Sequence, residues 1–394
     1  MGPNGLRCGV MILEAAGAVP IAIWLYLLLG RGGFWLSSGA GLPGRRRASR
    51  RPGPKSGGGP EVPPHSVVAV IPARNEAESV GRAVKSLKKQ DFRGEFHIVV
   101  VDDNSTDDTA EAAREAGALV VRGASLPPGW MGKLWAASQG VREAGRFQPD
   151  YLLLTDADIV HPPDNLAGLL ARAEQGYDLA SYMATLECGT LPERALVPAF
   201  VFFFFMLYPP AWIRNPRRKT AGAAGGCILI RREALERIGG LEAIRGELID
   251  DCALARAVKR SGGSVWLGLS ARTRSIRQYR TFGEIGRMIS RTAFTQLRYS
   301  PALLAGTFVG LAVTYLLPPV LVFAGQPGLG GAGWALLSAA YLPTLRFYRR
   351  SPLWAPLLPL AAAFFLGATA HSAVAYWRGE GGMWKGRSQA VKSL

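Results

Sequence analysis

The sequence reads VVVDDNS at residues 99–105 and LLLTDAD at residues 152–158, and these two stretches indicate the architecture of the chain. Each is a short aliphatic run that stops at carboxylates. Buried parallel strands are near-continuous aliphatic runs, and open sheets of such strands bind ligands at their carboxyl edge. Asp and Asn are also ordinary turn residues, so one such turn alone would predict only a loop. Two in series predict a binding site at the edge of a mainly parallel sheet.

The second stretch contains two carboxylates, Asp156 and Asp158, in the spacing Asp-x-Asp. Such a pair can share one hard divalent cation, and that cation can hold a diphosphate. The stretch ELIDDCAL at residues 247–254 adds a third acidic site, at the start of a predicted helix. Acids in a first helical turn often only complement the helix dipole, so this stretch alone leaves a structural role open.

Strands and helices alternate around the two acidic turns. Strands are predicted at residues 67–71, 96–101, 118–121, 151–154 and 179–186, and helices at residues 76–89 and 133–143. This alternation predicts an α/β fold with helices on both faces of the sheet. Small residues at 220–226 lead into a further strand, and they indicate either a close approach to a sugar or nucleotide or a tight structural turn.

The totals indicate a soluble domain attached to membrane segments. The chain has 394 residues, 48% of them hydrophobic and 19% charged, and its net charge is +17. A basic cluster lies in a Pro- and Gly-rich stretch after the first apolar segment; it comprises Arg45, Arg46, Arg47, Arg50, Arg51 and Lys55. This position favours contact with anionic membrane lipids over nucleic-acid binding, so we expect no nucleic-acid partner. The four cysteines have no metal or redox spacing and are predicted to be reduced structural thiols.

Five regions are predicted along the chain: a transmembrane anchor (1–30), a basic Gly/Pro-rich linker (31–65), the α/β domain (66–300), a membrane region of two or three spans (301–377) and a basic tail (378–394). A cleaved signal peptide is the alternative for the first region. The Phe-rich segment 195–213 is predicted not to cross the membrane alone, because a crossing would separate the acidic stretches on its two sides. It is either an interfacial element near a lipid acceptor or a buried helix.

Five motifs in series give the chain a resemblance to a known family. They are VIPARNE at 70–76, VDDNSTD at 101–107, Gly132-Lys133, TDAD at 155–158 and Asp250-Asp251-x-x-Leu254. In this order and spacing they resemble the family-2 glycosyltransferases of the GT-A fold, over residues 67–299. The stretch PGWMGKLWA at 128–136, with the flanking membrane segments, is similar to the hopanoid-biosynthesis-associated glycosyltransferases (HpnB-like). Carotenoid and ceramide glycosyltransferases share parts of this layout. The resemblance implies a multi-pass protein of the bacterial inner membrane with a cytoplasmic catalytic domain.

The resemblance also implies a role for each matched residue. A UDP-sugar would be held by Pro72, Arg74, Glu76, Asp102, Asp103, Lys133 and Asp156, and Mg²⁺ or Mn²⁺ by Asp156 and Asp158, with Asp158 the direct ligand. Asp251 matches the catalytic base, and Asp250 stands where Glu is commoner. The implied reaction is a single displacement with inversion, in which Asp251 accepts the proton of an acceptor hydroxyl. The acceptor would be a hopanoid or another isoprenoid alcohol.

One motif of membrane-bound relatives, Gln-x-x-Arg-Trp, is missing, and the chain has QLRY at 296–299 instead. Nearby Arg287, Arg291 and Arg298 could steady the diphosphate or contact lipid headgroups, and the sequence favours neither. Two rival functions remain, a processive polysaccharide synthase and a catalytically silent binding protein of the same fold. The few predicted spans argue against the first, and intact Asp158 and Asp251 argue against the second. The four histidines are scattered and are predicted to be structural or surface residues.

Overall fold

The computed structural model describes residues 3–39, 65–380, 383–384 and 387–388. In chain order the helices are α1 (Pro3–Gly30), α2 (Ala77–Leu87), α3 (Thr109–Glu115), α4 (Gly132–Ala144), α5 (Asn165–Ala173), α6 (Leu191–Leu207), α7 (Pro210–Arg214), α8 (Arg232–Arg237), α9 (Asp250–Arg260), α10 (Phe282–Ser290), α11 (Ala293–Gln296), α12 (Pro301–Leu311), α13 (Leu317–Phe323), α14 (Pro327–Phe347) and α15 (Leu358–Trp377). The strands are β1 (Ser66–Ala73), β2 (Glu95–Asp102), β3 (Leu119–Arg122), β4 (Tyr151–Thr155), β5 (Ile159–Val160), β6 (Leu179–Thr185), β7 (Cys227–Arg231), β8 (Val265–Ser275), β9 (Met383–Trp384) and β10 (Arg387–Ser388). Most of the predicted linker and tail lies outside the described residues.

The chain divides into two compact units. The sheet unit contains residues 39–186 and 216–277, and the helical unit contains residues 1–38, 187–215 and 278–394. The predicted α/β domain therefore spans segments of both units, because the Phe-rich stretch and the residues after 277 group with the helices.

The sheet unit is built on eight strands in the order β3-β2-β1-β4-β7-β6-β8-β5. Strands β3, β2, β1 and β4 are parallel, and so are β6 and β8. Strand β7 runs antiparallel to β4 and β6, and β5 runs antiparallel to β8. The predicted α/β fold with a mainly parallel sheet is confirmed, but β5 and β8 were not predicted.

This topology brings five chain segments to one edge of the sheet. The carboxyl ends of β1, β2, β4 and β8 lie there because these strands run in the same direction. Since β7 is antiparallel to β4, its first residue, Cys227, pairs with Thr155, the last residue of β4. The small-residue turn before β7 therefore lies beside the Asp-x-Asp turn after β4.

The predicted strand and helix faces are buried as the periodicity requires. Residues Val67 to Ile71 of β1 are 0% exposed, and α2 buries Val80, Ala83, Val84 and Leu87. Pro72 was expected to end β1, but the strand continues to Ala73. Strand β1 pairs with β4 only from Val67 to Val70, so Pro72 lies where that neighbour no longer needs an N–H donor.

The helical unit has a core of aromatic and aliphatic side chains. Trp24, Phe202, Tyr315, Leu337 and Tyr341 are all buried within it. Three of its segments are long and apolar enough to cross a membrane: Leu191–Arg214, Pro301–Phe323 and Pro352–Trp377. Two of these coincide with predicted C-terminal spans.

The Phe-rich segment is packed as core. Phe202, Phe203 and Phe205 are 1%, 8% and 2% exposed. Phe202 packs edge-to-face with Tyr341 at 5.4 Å between ring centroids, and Phe203 packs on Tyr315 at 5.4 Å. The structure thus supports the buried-helix interpretation of these side chains over the interfacial one. The segment is also apolar and long enough to span a membrane, so the expectation that it does not cross alone stays a prediction.

Candidate functional site

The turn after β4 presents Asp156 and Asp158 at the carboxyl edge of the sheet. Asp158 Oδ2 accepts hydrogen bonds from Ser275 Oγ at 3.0 Å and Arg277 Nε at 3.0 Å. The same guanidinium reaches Glu76, with 2.5 Å between Nη2 and Oε1. Arg277 therefore joins the turn after β1 to the turn after β4, as a cation between two carboxylates.

Lys133, in the first turn of α4, joins two of the acidic stretches. Its Nζ lies 2.8 Å from Asp156 Oδ1 and 3.3 Å from Asp250 Oδ2. Burial disfavours its charge, but Asp156, Asp250 and Asp251 together raise the pKa of Lys133 above its ordinary value. Lys133 is therefore an ammonium ion at neutral pH, and it holds the acidic turns after β4 and before α9 together.

Asp251 sits in the first turn of α9. Its Oδ2 accepts a hydrogen bond from Gly225 N at 2.8 Å, and its Oδ1 accepts one from Cys252 N at 2.7 Å. Burial and the neighbouring carboxylate of Asp250 raise the pKa of Asp251 to about 6. A carboxylate with this pKa is ionised at neutral pH and is basic enough to accept a proton during a reaction.

The absence of a side chain at Gly225 leaves room for the neighbouring charged side chains. A Cβ at this position would lie 3.2 Å from Lys133 Nζ and 3.4 Å from Asp251 Oδ2. The small-residue turn therefore lets the backbone approach the charged side chains of the site. Approach to a sugar or nucleotide at this turn remains a prediction.

Several of these residues line one narrow cleft with a cavity volume of about 30 Å³, whereas Asp158 and Arg277 are not among its lining residues. Its lining includes Pro72, Lys133, Asp156, Gly225, Asp250 and Asp251. Three stretches that are distant in sequence, around residues 72, 156 and 251, therefore meet in a single cleft of the sheet unit.

The turn after β2 places its two acids differently. Asp103 is fully buried, whereas Asp102 is partly exposed and accepts a hydrogen bond from Ser105 N at 3.2 Å. Arg74 Nη1 donates to the carbonyl oxygens of Asp103 and Asn104, at 2.6 and 3.1 Å. Of the two predicted nucleotide-binding acids, Asp102 is therefore the one accessible to a ligand, and Asp103 and Arg74 brace the turn.

A buried hydrogen-bonded chain supports the Asp-x-Asp turn from behind. Thr155 Oγ1 donates to the carbonyl oxygen of Gly226 at 2.7 Å, so it must accept from His161 Nε2, 3.0 Å away. His161 Nδ1 then accepts from Asn165 Nδ2 at 3.0 Å, and Asn165 Oδ1 accepts from Thr273 Oγ1 at 2.6 Å. Burial lowers the pKa of His161 to about 3, so the ring is neutral. His161 thus has the structural role that was predicted for the histidines.

The donor chemistry of Asp156 and Asp158 fits a divalent cation bound together with a ligand. Among the residues that the structure describes, no three or more His, Cys, Asp or Glu side chains form a group that could hold a metal. Mg²⁺, however, is commonly held by one or two carboxylates together with substrate phosphates and water. The pair therefore fits a cation that shares its coordination with a diphosphate, and not a cage made by protein alone.

Arg287, Arg291 and Arg298 belong to the helical unit. Arg287 lies in α10, Arg291 caps its carboxyl end, and Arg298 follows α11 with a left-handed backbone (φ 53°). Their interaction with a diphosphate or with lipid headgroups stays a prediction.

Sequence reasoning missed Arg277 and Ser275. Both depend on β8, which was not predicted, and Arg277 lies 119 residues from Asp158 in the chain. The signal that could have found them is the apolar run VWLGL at residues 265–269, which follows the Gly-Gly end of α9.

The fold and the sequence agree with those of known glycosyltransferases. The mannosyltransferase PcManGT from Pyrobaculum calidifontis, solved in complex with GDP-Man and Mn²⁺, superposes with a TM-score of 0.50 over 92% of this chain and 99% of its own, at 20% identity. The sheet unit therefore has the GT-A fold. Residues 68–239, somewhat less than half of the chain, match the family "Glycosyl transferase family 2".

Two curated relatives are similar over part of the chain. A 4,4'-diaponeurosporenoate glycosyltransferase of Staphylococcus haemolyticus is 41% identical over 96 residues, which are 24% of each chain. An undecaprenyl-phosphate 4-deoxy-4-formamido-L-arabinose transferase of Proteus mirabilis is 33% identical over 122 residues, 29% of this chain and 36% of that protein. The similarity thus spans well under two thirds of either relative.

Proposed function

We propose that the protein is a membrane-bound, inverting glycosyltransferase that moves a sugar from a nucleotide-sugar donor to an isoprenoid lipid. The observation that supports this most is the double contact of Lys133 Nζ, to Asp156 Oδ1 at 2.8 Å and Asp250 Oδ2 at 3.3 Å. This contact links the turn after β4, which could hold a diphosphate, to the start of α9, which carries the proposed base Asp251. A transferase needs these two functions side by side, since the acceptor attacks the carbon that the diphosphate leaves.

The donor is proposed to bind along the carboxyl edge of the sheet. Pro72, Glu76 and Asp102 would contact the nucleoside, and Lys133 and Asp156 the diphosphate end. UDP is the nucleotide we propose from the motif resemblance; the structural neighbour PcManGT was solved with GDP-Man. Mg²⁺ or Mn²⁺ at Asp158 and Asp156 would supply charge neutralisation for the departing nucleoside diphosphate.

Asp251 is proposed to be the base. Its carboxylate is fixed by two backbone N–H groups, and its pKa of about 6 leaves it ionised in the cytosol. It would take the proton from the acceptor hydroxyl as the oxygen attacks the anomeric carbon from the side opposite the nucleotide. Asp250 holds Lys133 in place and raises the basicity of Asp251.

The acceptor is proposed to be an isoprenoid alcohol, the hopanoids included. The two relatives carry names that refer to a carotenoid acid and to undecaprenyl phosphate, which supports an isoprenoid lipid as acceptor. The hydroxyl group is proposed because Asp251 is suited to accept its proton. A lipid phosphate is the alternative acceptor, and the two acceptors differ in whether they need a base. A phosphate oxygen is already ionised and needs no base, whereas a hydroxyl must lose its proton during attack.

The test uses the purified full chain in detergent with Mn²⁺, radiolabelled UDP-sugars and GDP-mannose, and either a hopanoid alcohol or undecaprenyl phosphate. Label that enters the organic phase measures transfer. With an alcohol acceptor, Asp251→Asn should lower kcat by about 10²–10⁴-fold. Asp164→Asn, an isosteric change at an exposed carboxylate of the sheet unit, is the control and should leave kcat unchanged.

Each outcome of this experiment selects a function. Transfer only to undecaprenyl phosphate, with a small effect of Asp251→Asn, would replace the alcohol by a lipid phosphate. Labelled products of increasing length would indicate a processive synthase. No transfer from any donor, with nucleotide still bound, would indicate a silent binding protein.

A further inference from the structure

Arg277 holds a position that a metal would compete for. Its Nε lies 3.0 Å from Asp158 Oδ2, the oxygen of the proposed direct metal ligand. Its Nη2 lies 2.5 Å from Glu76 Oε1. The carboxylate side chains of Asp158 and Glu76 are only 13% and 14% exposed, whereas that of Arg277 is 36% exposed. The guanidinium is thus the most exposed member of this cluster.

A guanidinium and a divalent cation cannot both lie beside the carboxylate of Asp158 without cost. Two cations a few ångströms apart repel, and the repulsion is stronger where the groups are partly removed from water. A divalent cation held by Asp158 would therefore bind more weakly as long as Arg277 keeps this contact. Leaving Asp158 would cost Arg277 one of its ion pairs.

A nucleoside diphosphate would supply the replacement. Its phosphate oxygens are acceptors that match the guanidinium fork, and arginine binds phosphate at least as well as carboxylate. Once phosphates lie at the edge of the sheet, Arg277 can exchange Asp158 for them. The displaced positive charge then stays in the site and is paired.

We propose that Arg277 is a resident counter-ion of Asp158 that makes divalent-metal binding conditional on the nucleoside diphosphate. This inference rests on the proposed donor site but not on any acceptor or on turnover. Metal and nucleotide are then coupled through Arg277 as well as through their shared coordination, and the coupling is reciprocal, so each raises the affinity of the other by the same factor.

The test is Mn²⁺ binding to the full chain in detergent, followed by the loss of the electron paramagnetic resonance signal of free Mn²⁺, with and without UDP or GDP. In the wild-type chain, nucleotide should raise the Mn²⁺ affinity by about 5–150-fold. In Arg277→Gln the affinity for Mn²⁺ alone should rise about tenfold, because a competing cation is gone, and the nucleotide effect should shrink. This direction is opposite to that expected if Arg277 only helped to build the metal site.

Two further variants keep the test decisive. Arg277→Lys keeps the charge but cannot bridge two carboxylates as a fork, so its affinity for Mn²⁺ alone should rise by a smaller factor. Arg272→Gln removes a charge from the same strand, where the partner Asp164 is 61% exposed, and should leave Mn²⁺ binding unchanged. Circular dichroism verifies that each variant is folded.

Two results would overturn the inference. Unchanged or weaker binding of Mn²⁺ alone to folded Arg277→Gln and Arg277→Lys, with normal wild-type binding, would remove the role of Arg277 and leave the proposed function intact. No Mn²⁺ binding to the wild-type chain even with UDP or GDP would remove both.

Discussion

Asp251 shows how one residue acquires its chemistry from its surroundings. An exposed aspartate is a weak base, but burial and the adjacent charge of Asp250 raise the pKa of Asp251 to about 6. The hydrogen bonds from Gly225 and Cys252 act in the other direction and keep the group ionised near neutrality. The same contacts also fix the orientation of the carboxylate.

The raised pKa predicts the pH dependence of transfer to an alcohol. Below pH 6 Asp251 is protonated and cannot accept a proton, so kcat/KM should fall tenfold per pH unit there and level off above it. Asp250→Asn removes a neighbouring negative charge, so the pKa of Asp251 should fall and the midpoint should move to lower pH. The measurement is kcat/KM from pH 5 to 8 for both chains. A midpoint that stays in place or rises in Asp250→Asn would contradict the electrostatic account.

His161 is important for stability and not for proton transfer. His161→Phe would leave Thr155 and Asn165 without their buried partner, and each such loss costs about 1–3 kcal/mol. The melting temperature in detergent should therefore fall by several degrees. His97→Phe is the matched control, because His97 is one-third exposed and stacks on Phe147 at the surface. An equal fall of the melting temperature in the two variants would contradict a stabilising role for the hydrogen bonds of His161.

At the scale of elements, the packing of α4 against the sheet determines the position of Lys133. Gly140 allows this close approach: a Cβ there would lie 2.4 Å from Val70 Cγ1 and 3.0 Å from Val101 Cγ2. The helix therefore packs against β1 and β2 at a distance that only glycine permits. This packing places the first turn of α4, which contains Lys133, in the site.

This packing predicts opposite results for two glycines near the end of α4. Gly140→Ala should destabilise the protein by about 1–3 kcal/mol through overpacking and lower its affinity for nucleotide, because α4 and Lys133 shift. Gly145→Ala has open space for a Cβ and a helical φ of −56°, so it should be neutral or stabilise by up to about 1 kcal/mol. Thermal unfolding and UDP titration measure both effects. Equal behaviour of the two variants would show that the tight contact does not matter.

At the scale of the whole molecule, the helical unit carries the segments that could anchor the protein in a membrane. Three of its segments are apolar and long enough to span a bilayer, and α1 adds the apolar stretch Gly17–Gly30. We predict that the full chain stays in the membrane pellet after alkaline carbonate extraction, as spanning proteins do, because extraction would expose these helices to water. Recovery in the supernatant, together with a peripheral marker protein, would show that the helices only pack within the protein.

Much of the sheet unit follows from local sequence. The aliphatic runs of β1, β2 and β4 stop at carboxylates, and the face of α2 repeats with helical period, so these elements and their acidic turns were predicted within a few residues. Local patterns suffice here because strand and helix periodicity, and the ends of buried runs, are properties of neighbouring residues. The Asp-x-Asp pair and the acids of α9 were found in the same way.

The arrangement of the site was decided by tertiary structure. Sequence periodicity does not state which strands pair, or in which direction. The antiparallel insertion of β7 next to β4 brings Gly225 to Asp251, and β8, parallel to β6, delivers Arg277 to Asp158 across 119 residues. The same holds for the enclosure of Asp103 and for the packing of the Phe-rich segment as core. The sequence alone identified the acidic side chains that are proposed to carry the chemistry, whereas strand order and direction determined which side chains meet, because non-local pairing depends on the whole chain at once.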